Sequence, residues 1–196
     1  FQYPLFIENS AALALTMVGF SAMFTVFTYI APILSSETQA STAFITAMLV
    51  LYGIGLTLGN VWGGKAADRS VDRTLIVSLS TLILVLLAFT VLMRWLLPAA
   101  VAILIWGIAS FAIVPPLQMR VMEAAKDAPN LASAVNIGAF NLGNAIGAAL
   151  GGVVINAGLG YPAISLAGAA MAGLGLLMVL GFAWRARTVT APAVCQ

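Results

Sequence analysis

Apolar residues gather along this chain in six long stretches that are separated by short polar segments. Each stretch has about 20 residues or more. As an α-helix rising about 1.5 Å per residue, it would cross the roughly 30 Å hydrocarbon layer of a bilayer. Because the connecting segments are short, consecutive helices are expected to be antiparallel neighbours in a single domain covering residues 1–196. The predicted fold class is an all-α membrane protein with six transmembrane helices, at about residues 11–34, 42–62, 75–93, 99–119, 131–157 and 161–184.

Composition and charge agree with this interpretation. Hydrophobic residues make up 62% of the chain and charged residues only 7%, whereas a soluble domain carries about 25% charged residues, so lipid is an expected partner. Seven of the eight Lys and Arg residues follow the second, fourth or sixth stretch, and only Arg94 lies at the opposite ends. Positive charge collects on the cytoplasmic side of membrane proteins, which predicts that both termini are cytoplasmic. Charges sorted in this way form no basic groove, so no nucleic-acid partner is expected.

Side chains able to carry catalytic chemistry are few. The chain has no His and a single Cys, Cys195, so an enzyme, a metal site and a cofactor are not expected. An intramembrane protease is disfavoured because no His or Asp lies inside a predicted span. An aquaporin-like channel is disfavoured because the Asn-Pro-Ala motif does not occur. No basic segment precedes the first apolar stretch, so no signal peptide is expected, and a start at Phe1 rather than Met indicates a fragment or a processed form. The short polar tail is expected to be disordered.

Glycines recur at four-residue intervals in the second and fifth stretches. Four residues advance a helix by about 400°, so each series lies along one helical face. Helices in lipid approach each other closely where small residues meet, and tight packing is the main expectation. Sliding of these helices during a conformational cycle is compatible with that packing. The residues concerned are Gly55, Gly59 and Gly63 in the second stretch and Gly143, Gly147 and Gly151 in the fifth.

Several polar side chains fall inside the apolar stretches, where each one needs a partner. Asn136 and Asn144 overlap the glycine face of the fifth stretch, which favours packing, whereas Asn141 is the better candidate for lining a watered cavity. Interhelical hydrogen bonding and cavity lining stay equally open for these amides as a group. The outer half of the first stretch adds three hydroxyls as cavity candidates, although a Thr hydroxyl can instead bond its own helix. These are Thr25, Thr28 and Tyr29.

Two adjacent prolines, Pro115 and Pro116, interrupt the fourth stretch. They remove backbone donors and should bend that helix. A static kink and the hinge of a gate are both consistent with this pattern. Gln118, close behind them, is expected to lie at the membrane interface.

The segment between the second and third stretches concentrates charge in the sequence GNVWGGKAADRSVDR. Two positions depart from the pattern that it resembles, because Val71 stands where a Gly is usual and Asp72 where a base is usual. In twelve-helix transporters, which carry this loop pattern more than once, such departures are expected of the copy that lies between helices 8 and 9. The stretch FTVFTYIAPIL resembles helix 7 of bacterial drug- and sugar-efflux transporters, and PPLQMRVMEAAKDAPNLASAVNIGAFNLGNAIGAALGG resembles their helices 10 and 11. The pattern is the signature loop of the major facilitator superfamily, Gly-x-Leu-Ala-Asp-Arg-x-Gly-Arg-Arg, and the matching positions are Gly64, Asp68, Arg69 and Arg73.

This resemblance implies that the chain is equivalent to helices 7–12, the C-terminal half of a twelve-helix transporter. The likeness is to the arabinose-efflux-like and purine-efflux-like permeases of the drug/proton-antiporter group. Such transporters consist of two six-helix halves that rock about a central site. The implied function is proton-coupled efflux of a drug, a sugar or a nucleoside-like molecule across the bacterial inner membrane. The implied partners are the N-terminal six-helix half, the small-molecule substrate and the proton.

The resemblance also implies roles for the charged loop and leaves alternatives open. Asp68 would meet the positive end of a helix in the other half and hold one access state closed. Simple anchoring to lipid is the alternative for Asp68, Arg69 and Arg73. All six acids lie in predicted loops or at span ends, so the carboxylate that carries the coupled proton is expected in the other half. A non-transporting membrane scaffold and a half that pairs with itself are the rival functions.

Overall fold

Eight α-helices form the part of the chain that the computed structural model describes. That part is residues 3–125 and 128–189, with side chains described for residues 10–125 and 128–185. These helices build six spans, each long and apolar enough to cross a membrane, and the predicted all-α, six-span fold class is confirmed. The first span contains α1 and α2, the fourth contains α5 and α6, and each other helix is one span. The helices are α1 (Tyr3–Phe27), α2 (Ile30–Ser36), α3 (Thr42–Ala67), α4 (Val71–Leu92), α5 (Leu96–Ala112), α6 (Val114–Ala124), α7 (Pro129–Asn156) and α8 (Tyr161–Val189).

Several helices are longer than the apolar stretches that predict them. α1 begins at Tyr3 rather than near residue 11, and Pro4 lies in its first turn, where a backbone N–H has no helical acceptor to lose. α6 continues to Ala124, so Arg120, expected in a linker, belongs to a helix. Helix ends follow backbone hydrogen bonds and caps, whereas an apolar stretch marks only the part suited to hydrocarbon. The tail that the sequence predicts to be disordered, from residue 190 onwards, lies outside the described residues, as do residues 126–127.

The first span is the most buried of the six, with 56% of its apolar stretch inside the bundle. Its helix α1 packs against α7 and α8, while α3 packs against α5, and α4 contacts both α5 and α8. The core between these helices is apolar. Its largest fully buried side chains include Leu15, Leu79, Leu82, Leu86, Ile103 and Trp106.

Glycines on α3 allow its backbone to touch the backbone of α5. A Cβ atom added at Gly55 would lie 2.8 Å from the carbonyl oxygen of Leu104, and one at Gly63 would lie 2.7 Å from the Cα of Ala112. The Cβ of a residue at Gly59, between them, would lie 2.9 Å from a backbone carbon of α5. Real Cβ atoms essentially never come within 3.0 Å of such atoms, so this approach requires glycine.

The same arrangement joins α7 to α1. A Cβ at Gly143 would lie 2.7 Å from the carbonyl oxygen of Met17, and one at Gly147 would lie 2.9 Å from the backbone nitrogen of Thr25. At Gly151 the added atom would lie 2.8 Å from the carbonyl oxygen of Thr25. The structure therefore places both glycine series at close helix contacts, on two different helix pairs.

The two glycine-bearing helices are also the least buried spans. Only 22% of the apolar stretch of α3 and 28% of that of α7 lie inside the bundle. Each helix is attached along one narrow face and leaves its other faces open to lipid or to another part of the protein. Large apolar side chains on those open faces include Val50, Ile54, Leu58 and Val61 on α3, and Ile137, Leu142, Ile146 and Val153 on α7.

Candidate functional site

The loop between α3 and α4 consists of three residues, Asp68, Arg69 and Ser70. Asp68 caps α3, and its backbone N–H donates to the carbonyl oxygen of Gly64 at 3.1 Å. Ser70 caps α4, because its hydroxyl accepts from the backbone N–H of Arg73 at 3.3 Å. This cap starts α4 ahead of the apolar stretch that predicts it. The side chains of Asp68, Arg69 and Arg73 are exposed, so the charges of the signature loop are available at this end of the bundle, here called the basic end.

Asp72 and Arg120 form an ion pair at the basic end, between the first turn of α4 and α6. The guanidinium of Arg120 also lies over the ring of Phe182 in α8, with its central carbon 5.4 Å from the ring centroid. A single side chain thereby joins three helices. The sequence reasoning missed this pair, and the available signal was the acid at position 72, where the signature has a base.

Three polar side chains of α6 and α7 form a chain of hydrogen bonds. The amide of Asn136 donates to the Oε1 of Gln118 at 2.7 Å, and the amide of Gln118 donates to the hydroxyl of Ser133 at 2.7 Å. Asn136 is fully buried. Gln118 therefore takes part in a contact between helices, and its position at the membrane interface stays a prediction. Asn136 takes the packing role that its position on the glycine face favours.

The first span is interrupted by a turn at Thr28 and Tyr29. The Tyr29 hydroxyl donates to the carbonyl oxygen of Ala148 in α7 at 2.9 Å, which ties the interruption to that helix. Its ring lies against Gly151, since an added Cβ there would meet a ring carbon at 2.8 Å. Thr28 is exposed, and its hydroxyl donates to the carbonyl oxygen of Phe24 at 2.8 Å.

The remaining two cavity candidates lie in different surroundings. Thr25 is fully buried in the contact between α1 and α7, and its hydroxyl donates to the carbonyl oxygen of Ser21 at 2.8 Å. The sequence-based placement of Thr25 on a cavity surface is therefore corrected, because its hydroxyl bonds its own helix. Asn141 is exposed on α7, and its role in lining a cavity stays a prediction. Asn144, one turn further along, is half-buried.

The fourth span is interrupted at Ile113, between the end of α5 and the start of α6. Pro115 and Pro116 fall in the first turn of α6. Backbone N–H groups in a first turn have no helical acceptor, so prolines are well tolerated there and a new helix starts from them. The interruption lies where the proline pair predicts it, and movement about this point stays a prediction.

Aromatic rings fill the space between α1, α3 and α5. The ring of Phe27 is stacked on that of Tyr52, with centroids 4.9 Å apart, and the Tyr52 ring lies 4.6 Å from that of Trp106. Phe27 is half-buried, whereas Tyr52 and Trp106 are only 3% and 1% exposed. The sequence reasoning did not single out this cluster, because aromatic residues within apolar stretches are ordinary core residues.

A cavity of about 280 Å³ lies elsewhere, between α1, α6 and α7 near the basic end. Its lining is apolar and includes Leu13, Val121, Leu131 and Val135. None of the polar cavity candidates from the sequence lines it.

Comparison with known proteins relates this arrangement to a family. The chain is 56% identical over 169 residues to the inner membrane transport protein YdhP of Escherichia coli (strain K12), which is 86% of this chain and 43% of that protein. It is 31% identical to a probable sugar efflux transporter of Helicobacter acinonychis (strain Sheeba), over 86% of this chain and 42% of that protein. It is 29% identical to the putative transporter AraJ of Escherichia coli (strain K12), over 93% of this chain and 47% of that protein.

The chain thus spans less than half of the length of these relatives. Residues 12–193 match the Major Facilitator Superfamily, which covers all six spans. The exposed signature loop and the six apolar helices agree with that match. This multi-pass membrane protein therefore belongs to the Major Facilitator Superfamily of transporters.

Proposed function

We propose that this chain is the C-terminal half of a secondary active transporter that exports a small molecule across the bacterial inner membrane in exchange for protons. One observation carries the proposal. A six-span chain matches the superfamily over residues 12–193 while covering only 43% of YdhP. Half of the length and six spans are what one half of a twelve-span transporter would provide. Outward transport is supported by the relative from Helicobacter acinonychis, whose name is that of a probable sugar efflux transporter.

The partner of this half is an N-terminal half with six further helices. The open faces of α3 and α7 support this partnership, because these spans are the least buried of the six. Asp68 is exposed at the basic end, where its carboxylate is free to approach the positive N-terminal end of a helix in the partner half. That contact holds one access state closed and is released in the other. The basic end faces the cytoplasm, in keeping with the side on which Lys and Arg collect.

Substrate passes between the two halves near the interrupted spans. Interrupted helices are typical of transporter sites, because a broken helix exposes backbone groups and can change its angle. The interruption at Tyr29 and the interruption at Ile113 lie in spans one and four. Tyr29 and Asn141 contribute polar contacts on this half, and the Pro115–Pro116 pair serves as the hinge of α6.

The proton is carried by the other half. Each acid whose side chain the structure describes lies at a helix end, where water is near. Glu37 caps α2 and Asp68 caps α3. Asp72 is in the first turn of α4, and Glu123 is in the last turn of α6. A coupling group must gain and lose its proton inside the membrane. This half therefore supplies substrate contacts and gates.

The experiment uses everted membrane vesicles that contain the full-length transporter and a pH-sensitive dye. Arabinose, adenosine and ethidium are added in turn to energised vesicles as representatives of a sugar, a nucleoside and a drug. At least one of them should dissipate the proton gradient faster than in vesicles without the transporter. The same response should persist in variants that carry Glu37→Gln, Asp72→Asn or Glu123→Gln.

Two results would contradict the proposal. If none of the three compounds affects the gradient, proton-coupled export of these classes is wrong. If one neutralised acid abolishes the response while the compound still binds, the coupling carboxylate lies in this half and the assignment to the partner half is wrong.

A further inference from the structure

The helix α6 follows α5 without continuous helical hydrogen bonds. Pro115 and Pro116 have no backbone N–H, so two carbonyl groups in the last turn of α5 receive no helical hydrogen bond from these positions. The break between the two helices lies at Ile113. The orientation of α6 therefore depends on its contacts with the neighbouring helices.

On the side of α7, α6 is held by the side chain of Gln118. Its Nε2 donates to the hydroxyl of Ser133, and its Oε1 accepts from the amide of Asn136, each at 2.7 Å. The Oδ1 of Asn136 is buried, and the residues that the structure describes offer it no hydrogen-bond partner. Buried acceptors in native proteins are almost always paired. The network is therefore incomplete in this position of α6.

A second arrangement of the same three side chains would complete the network. Ser133 and Asn136 are three residues apart and share one face of α7. If the Nε2 of Gln118 donated to the Oδ1 of Asn136 instead of to Ser133, each of the two amides would donate once and accept once. The Ser133 hydroxyl could then bond a carbonyl group one turn earlier in its own helix. Every member of the network would have a partner.

A cavity gives α6 room to reach this second arrangement. The cavity of about 280 Å³ between α1, α6 and α7 is lined by Val121 of α6 and by Ala132 and Val135 of α7. Ala132 and Val135 are each next to a hydrogen-bonding residue of the network. Close-packed interiors resist movement, whereas α6 can turn towards α7 here by filling the cavity.

The ion pair of Arg120 with Asp72 opposes this turn. Arg120 follows Gln118 by two residues, about 200° around the helix, so the two side chains leave α6 on nearly opposite sides. A turn of α6 towards α7 draws Arg120 away from α4, which carries Asp72. Completing the network and keeping the ion pair are therefore competing demands on one helix.

We propose that Gln118 is a positioning residue that exchanges Ser133 for the Oδ1 of Asn136 as α6 turns about the break at Ile113. In the first position, which the structure shows, the ion pair is formed and the network is incomplete. In the second position α6 lies closer to α7, the cavity is smaller and the two amides are fully paired. This inference rests on the proposed function, in which α6 turns on a hinge, and it names the side chains that hold each position.

The test is the distance between spin labels on α6 and α7, measured by double electron–electron resonance on the purified full-length transporter in detergent. The labels are attached at Met122→Cys and Leu142→Cys, both exposed in the described structure, after all native cysteines have been replaced. Met122 lies nine residues past Ile113 and Gln118 only five, about 14 Å and 8 Å along the helix, so the label moves further than Gln118 does. The first position should give a longer distance and the second a shorter one.

Three substitutions should shift these two populations in different directions. Ser133→Ala removes the present partner of the Gln118 amide, and Asp72→Asn weakens the ion pair, so each should raise the ratio of shorter to longer distances. Asn136→Ala removes the second partner and should lower that ratio. Each change should be about two- to tenfold, as expected for one hydrogen bond. Asn156→Ala, which removes an exposed amide at the far end of α7, is the control and should leave the ratio unchanged.

A purely structural role of the network predicts a different result. Each substitution would then lower the unfolding temperature and broaden the distances without opposite shifts. The same ratio in all variants, or a shift in the same direction for Ser133→Ala and Asn136→Ala, would overturn the proposal. Asp72→Asn acts from the other side of α6 and alters none of the three network residues. An unchanged ratio in that variant would also overturn the proposal, whether or not the α7 variants fold.

Export is measured separately with the pH-sensitive dye. A transporter that shows the opposite shifts but exports none of arabinose, adenosine and ethidium would contradict the proposed function and support this inference. A transporter that exports one of them while its distances are the same in every variant would overturn this inference and leave the proposed function in place.

Discussion

Arg120 shows how much one side chain can contribute at the residue scale. Its guanidinium pairs with Asp72 at the start of α4 and lies over Phe182 of α8. The Arg120 side chain is only 19% exposed, so its charge depends on this acid more than an exposed Arg would. The negative charge of Asp72 therefore compensates the positive charge of Arg120, a residue of α6 that lies mostly inside the bundle.

Replacing Asp72 by Ala should lower the stability of the protein in detergent by about 1 kcal/mol. This is the upper end for an ion pair that water partly reaches. The measurement is the thermal unfolding midpoint. Arg69→Ala is the matched control, because Arg69 is exposed in the same charged loop, and it should unfold at the temperature of the unaltered protein. Equal midpoints for both variants would mean that the pair does not stabilise this end.

At the scale of helices, attachment depends on glycine. α3 and α7 each contact one partner helix through backbone atoms, and each offers little other buried surface. Dispersion contacts fall off steeply with distance, so separating such a pair by about 0.5–1 Å forfeits about a quarter to a half of their attraction. The contact tolerates no added atom on that face.

Gly147→Ala should destabilise the protein by about 1–3 kcal/mol, the usual cost of overpacking. The new Cβ would lie 2.9 Å from the backbone nitrogen of Thr25. Gly138→Ala on the same helix is the matched control, since a Cβ there meets nothing within 4 Å. The control should be neutral or slightly stabilising, because Ala favours a helix over Gly. Thermal unfolding in detergent compares the two variants, and a Gly147→Ala variant as stable as the control would rule out this contact.

At the scale of the whole molecule, the described chain is a bundle with two weakly covered sides. The first span is enclosed, whereas α3 and α7 are mostly open. In a two-half transporter such open helices meet the other half, and the charged loop next to α3 meets it at the basic end. Under the proposed function the carboxylate of Asp68 acts between the two halves, so we expect the fold of this chain to be largely independent of it.

In the full-length transporter, Asp68→Asn should slow transport by about two- to fivefold, as expected when a contact of about 0.3–1 kcal/mol with a helix end is lost. Membrane abundance should be unchanged. The assay follows dissipation of the proton gradient by whichever of arabinose, adenosine and ethidium is transported. Glu37→Gln is the control, since Glu37 caps α2 at the end opposite to the basic end, and it should transport normally. Unimpaired transport by Asp68→Asn would remove the gating role.

Sequence patterns predict some of these features and not others. Apolar length predicts six spans because the hydrocarbon layer sets a minimum for each of them. The interruption of the first span was harder to predict, because its turn at Thr28 and Tyr29 is held by a hydrogen bond to Ala148, more than a hundred residues away. The pair of Asp72 and Arg120 depends in the same way on two distant segments. Local sequence does not contain such partners.

Polar residues gave a mixed result for a related reason. The sequence treats Thr25 as a cavity candidate, yet its hydroxyl bonds its own helix under a glycine of α7. A Thr at this position of a helix can either line a cavity or bond its own helix, and only the packing of neighbouring helices decides between the two. Trp106 shows the converse, since its unpaired Nε1 becomes visible only when the neighbouring helices are in place.

The glycine contacts of α3 and α7 also bear on how sequences with this fold can diverge. On each helix, three positions spaced four residues apart are restricted to glycine by a neighbouring backbone. The other positions mostly face outward, where many different apolar side chains are interchangeable because each of them faces lipid. Related proteins can therefore change most of these two helices to suit a new substrate or a new partner surface, provided that the glycine register is inherited intact.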